Sequence, residues 1–164
     1  MTTQNPSLQK KSAARMAAVQ CLYALSVADV KFTPEQQVAM LKLQLSGNTN
    51  EQKLRSGVPL EPNYKLLETI LSGVDKWRAD IDTRLAALLS KDWAHGRTSP
   101  LLIAIFQCAI FEMLFDKDIA PKIVIDEYTR LARSFFPGPE VDFVHGALSK
   151  LAQPLKSPLP PGEG

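Results

Sequence analysis

Apolar residues recur at helical spacing along most of the chain, and no stretch alternates cleanly between apolar and polar. Thr33-Pro34-Glu35-Gln36 combines a capping threonine, a proline suited to the first helical position and a glutamine at the capping-box position. Val38, Leu41 and Leu45 then supply one stripe. Residues 46–60 form the one long polar connection and read as a loop. Pro62 opens a helix with Tyr64, Leu67, Leu71 and Val74 on one face. Around Gly73 to Lys76 the stripe shifts to Trp77, Ile81, Leu85 and Leu88, which predicts a break there. Pro100 opens Leu101 to Phe115, where only Gln107 and Glu112 are polar; too short to span a bilayer, it is predicted as the central buried helix. Pro121 opens the next helix, with Val124, Tyr128, Leu131 and Phe135 in register and the pairs Lys122–Asp126 and Asp126–Arg130 four apart on its other side. Gly138-Pro139-Glu140 starts the last, buried through Val144, Ala147, Leu148 and Leu151. With a first helix over about residues 7–28, the pattern predicts an all-α fold of six or seven helices over residues 7–153. A polar tail (1–6) and a proline-rich tail (154–164) bracket it.

Composition narrows the functional classes. A chain of 164 residues that is 45% hydrophobic can bury a core without disulfides or metal. Lys plus Arg is 19 against 17 for Asp plus Glu, so a general polycationic coat for nucleic acid is excluded and any basic site must be local. Cys21 and Cys108 lie in apolar runs and read as buried free thiols, and the N-terminus has no signal-peptide core; the expectation is a cytoplasmic protein with no membrane attachment. His95 and His145 stand alone, without ligand spacing to a second histidine or cysteine, and there is no glycine-rich phosphate loop or nucleophile elbow. Asp80 and Asp82 straddle Ile81, and Asp126 and Glu127 are adjacent, so neither pair forms a dyad. The expectation is a non-enzyme that needs no cofactor.

The first helix is more informative. No acidic residue precedes Asp29, whereas Lys10, Lys11 and Arg15 are present. Lys11 and Arg15 share a helical face, where like charges repel, and the dipole at a helix start also disfavours cations. Placing cations where folding alone would favour an acid suggests an anionic partner; a solvated helix end is the other reading.

Four segments together resemble the NusB family of bacterial transcription antitermination factors: Arg15-Met-Ala-Ala-Val-Gln-Cys-Leu-Tyr23, Ala109-Ile-Phe-Glu-Met113, Pro121-Lys-Ile-Val-Ile-Asp-Glu127 followed by Leu131-Ala132, and Phe143-Val-His-Gly-Ala-Leu148. Their order and spacing match over about residues 10–152. The resemblance implies two packed helical subdomains and no enzymatic activity. It implies binding to the boxA element of ribosomal RNA leaders, together with the small-subunit ribosomal protein NusE, within an RNA polymerase antitermination complex.

Carried over by position, the basic helix start is Lys10, Lys11 and Arg15. Phe143 matches an RNA-side aromatic, where stacking on an unpaired base gives a physical reason for the ring. His145 stands where the family usually has Asn, and Gln107 where many members have Arg. Tyr23 matches a position on the NusE-facing side, and Leu102 stands where many members have Glu. Tyr23 and Phe143 could equally be core residues. Asp142, where some members carry Lys, would repel phosphate. These departures leave a second reading open: a NusB-like protein-interaction module or homodimer, without boxA recognition, pairing through the Leu101–Ile103 surface.

Overall fold

The computed structural model describes residues 5–46, 61–94 and 98–156, which form seven helices. They are α1 (Pro6–Ala28), α2 (Pro34–Ser46), α3 (Tyr64–Lys76), α4 (Arg78–Ala94), α5 (Pro100–Phe115), α6 (Pro121–Arg133) and α7 (Gly138–Lys156). No strand occurs among the described residues. The chain divides into two helical units, Met1–Lys76 and Trp77–Gly164.

Capping sets the helix starts. Asn5 Oδ1 accepts from the Ser7 amide at 2.9 Å with Pro6 in the first turn, so α1 starts one residue before the expected residue 7. At α2 the predicted capping box is formed: Thr33 Oγ1 accepts from the Gln36 amide at 3.1 Å, and Gln36 Oε1 accepts from the Thr33 amide at 2.9 Å. Pro62, expected to open α3, instead lies two residues before it. Asn63 takes the capping role, its Oδ1 accepting from the Leu66 amide at 3.0 Å. Ser99 caps α5 through the Leu102 amide at 3.1 Å, with Pro100 in the first turn.

The predicted break falls at Trp77, between α3 and α4. The last helix runs to Lys156, past the expected boundary at 154. Of the predicted loop and tails, residues 1–4, 47–60 and 157–164 lie outside the described residues, as does His95.

In the first unit α3 packs against both α1 and α2. Ala14, Ala18, Val19 and Leu22 of α1 are buried, as are Val38 of α2 and Leu67, Ile70, Leu71 and Val74 of α3. In the second unit α5 packs against α4, α6 and α7. Ten of its sixteen residues are buried, which gives it the central place its sequence predicted. Trp77 stacks on Phe115 at 4.7 Å between ring centroids and 9° between planes.

The polar Glu112 in this apolar helix is fully buried, and Tyr128 Oη of α6 donates to its Oε2 at 2.5 Å. On the outer side of α6 the ion pair differs from the expected Asp126–Arg130 contact: Arg130 Nη2 meets Glu127 Oε1 at 2.5 Å, one residue closer in sequence. Both three- and four-residue spacings bring side chains together on a helix, and an exposed pair of this kind adds at most about 1 kcal/mol.

Candidate nucleic-acid interface

The expected basic start of α1 divides in the structure. Lys10 and Lys11 are exposed, on a helix whose first turn carries no acid. Arg15 is only 6% exposed. Its neighbours Ala14, Ala17, Ala18 and Val19 are buried with it, so its stem lies on the packed side of the helix. Arg15 also has interactions of its own within the protein. The two lysines are therefore the accessible cations of this segment, and Arg15 belongs to the interior.

The other candidates lie on the second unit. Phe143 and the fully buried Phe106 form a T-shaped ring pair, with centroids 5.8 Å apart and planes at 85°, yet Phe143 remains 37% exposed. The ring is thus held on one side by packing while part of it faces solvent, which suits stacking by an unpaired base. Asp142, His145 and Gly146 are exposed beside it on α7, and a Cβ placed on Gly146 would meet no atom within 4 Å. Gln107 of α5 is half-buried. Replacing Phe143 by Ala is expected to weaken RNA binding by about 1–3 kcal/mol with little change in salt dependence, measurable by anisotropy titrations at several salt concentrations.

The two expected partner-facing residues also separate. Tyr23 is 39% exposed, with Val27 one turn further along α1 at 59%, so a core role for the tyrosine does not hold. Leu102 is 8% exposed and therefore packs inside α5's environment rather than facing a partner. The apolar start of α5 is correspondingly less sticky than its sequence suggests: Leu101 and Ile103 are half-buried, and Ala104 is buried.

A feature missed by sequence reasoning is the cleft between α1 and α2, about 360 Å³, lined by Ala17, Cys21, Ala24, Phe32, Gln37 and Met40 among others. Gln37 Nε2 donates across it to the Cys21 carbonyl at 3.5 Å. Burial raises the pKa of the Cys21 thiol, so Cys21 is held more firmly as the thiol than a free cysteine would be.

The NusB family model matches residues 12–153, most of the chain. The chain belongs to the NusB family. Its NusB relatives include the transcription antitermination protein of Rhizobium etli (strain CIAT 652), 29% identical over 90% of this chain and 89% of that protein. The protein of the same name from Bartonella tribocorum is 28% identical over 92% of each chain. A solved structure of T. maritima NusB, 20% identical over 93% of each chain, superposes with a TM-score of 0.66 and has the same fold.

Proposed function

We propose that this protein is a transcription antitermination factor of ribosomal RNA synthesis that binds boxA-containing RNA together with the ribosomal protein NusE. It acts in the cytoplasm as part of an RNA polymerase complex, by binding and without catalysis. The observation that carries this reading is the exposed Lys10–Lys11 pair on an acid-free helix start, in a chain of the NusB family. Relatives that match nine-tenths of the chain bear the name transcription antitermination protein NusB. In this reading Lys10 and Lys11 meet phosphates, Phe143 stacks on a base, and His145 and Gln107 supply hydrogen bonds beside it. Arg15 supports the helix that presents the lysines, and Tyr23 faces the ribosomal protein.

The test is binding of a boxA oligoribonucleotide by the full chain, with and without NusE. Tight, salt-sensitive binding is expected only with the ribosomal protein, since Asp142 and Gln107 leave the protein alone short of cations. Tyr23→Asp, at an exposed position, is expected to weaken the complex with NusE about tenfold or more at unchanged helical content, because it places a charge in a protein interface. NusE binding without any RNA binding would favour the protein-interaction module instead.

A further inference from the structure

We propose that the cavity between the starts of α1 and α3 is a subsite for one unpaired nucleotide of the bound RNA, its base against Tyr64 and its phosphate on Lys10. The inference rests on the RNA-binding reading above and adds to it a site and an aromatic residue that the sequence did not single out. Tyr64 there is simply one member of an apolar stripe.

The cavity has a volume of about 500 Å³, and its lining includes Pro6, Ser7, Lys10, Glu61, Asn63 and Tyr64. That size admits a nucleotide. Its walls are tied together. The Asn63 amide donates to the Lys10 carbonyl at 2.9 Å, so the start of α3 is fastened to α1 at the residue that carries the cation. Asn63 Oδ1 holds the Leu66 amide and Asn5 Oδ1 holds the Ser7 amide, fixing both helix starts.

Tyr64 is half-buried, and the Lys42 ammonium lies 4.9 Å from its ring centroid. This contact places an ammonium group over the ring and helps to orient it. An aromatic ring beside ammonium groups in a groove is the combination by which single strands are held: the base gains a stacking surface and the backbone a counter-charge. Glu61 is the one acid among the described residues of the lining. Its charge, after burial, contributes to raising the Tyr64 hydroxyl pKa, so the carboxylate lies within electrostatic reach of the ring. A phosphate therefore takes the Lys10 side, and Glu61 accepts from a donor of the nucleoside, a base N–H or the 2′-hydroxyl.

The experiment uses the full chain in complex with NusE and a fluorescently labelled boxA oligoribonucleotide. Tyr64→Leu is expected to weaken RNA binding about five- to 150-fold, whereas Tyr64→Phe, which keeps the ring, stays within about twofold of the parent. Circular dichroism establishes that each variant is folded. Ultraviolet cross-linking of the parent complex, followed by mass spectrometry, is expected to attach RNA to the peptide containing Tyr64. It decides the matter if Tyr64→Leu fails to fold.

A folded Tyr64→Leu that binds RNA as tightly as the parent, or cross-links confined to other peptides, overturns the subsite. The RNA-binding reading still stands in that case, provided that Lys10→Ala with Lys11→Ala weakens binding. A parent complex that binds no RNA overturns that reading itself, and the subsite with it.

Discussion

Phe106→Ala is expected to lower the stability of the helical unit that contains it by about 3–5 kcal/mol. Phe106 is among the largest fully buried side chains, on the helix that packs against α4, α6 and α7. Truncation removes its transfer free energy and leaves a cavity in a close-packed core, which relaxes only in part. Urea unfolding followed by circular dichroism measures the loss. Phe143→Ala is the internal comparison: that ring is already partly in solvent and should cost well under half as much. The two positions are also coupled, because Phe106 is the surface on which Phe143 rests. A double-mutant cycle should show non-additivity of about 0.5–1.5 kcal/mol, the range of an aromatic pair. Loss of less than about 1 kcal/mol in Phe106→Ala would contradict the central packing of α5.

What the sequence made legible is what depends on neighbours a few residues apart. The Thr33–Gln36 capping box, the prolines in the first turns of α5 and α6, and the break at Trp77 all follow from local rules, and the structure has them. What it left open depends on which elements meet. In α5 nearly every residue is apolar, so helical periodicity defines no face; only packing separates buried Leu102 from half-buried Leu101 and Ile103. Arg15 poses the same difficulty. It lies near the start of the Ala13–Ala28 stretch, which is apolar almost all round, and a charge count groups it with Lys10 and Lys11, although it is buried.

Glu112 and Tyr128 were each visible, one as a polar residue in an apolar run and one in an apolar stripe. Their hydrogen bond joins residues sixteen apart on different helices. A lone carboxyl inside an apolar helix does indicate that a partner must exist, since an unsatisfied one costs about 1–3 kcal/mol or more. It does not say which residue. The Tyr64 cavity was hidden for the same reason: its lining comes from two chain segments more than fifty residues apart, Pro6–Lys10 and Glu61–Tyr64.

Removing both accessible cations, as Lys10→Ala with Lys11→Ala, is expected to weaken RNA binding most strongly at low salt. Each lysine that neutralises a phosphate on a single strand releases condensed counterions and contributes about 0.7 to the slope of log affinity against log salt, so the pair should flatten that slope by about 1.4. Between 1 M and 0.1 M salt this corresponds to about 25-fold of affinity that the variant fails to gain, for matched and mismatched RNAs alike. Arg15→Ala separates charge at the surface from charge in the interior. With Arg15 buried, its loss should appear as lowered stability, about 1–3 kcal/mol in urea unfolding, with the salt slope kept. Titrations of boxA RNA into the NusE complex at several salt concentrations give both quantities. An unchanged slope in the lysine variant would mean that the exposed start of α1 is only a solvated end. A flattened slope in folded Arg15→Ala would put its guanidinium on the RNA in spite of its burial.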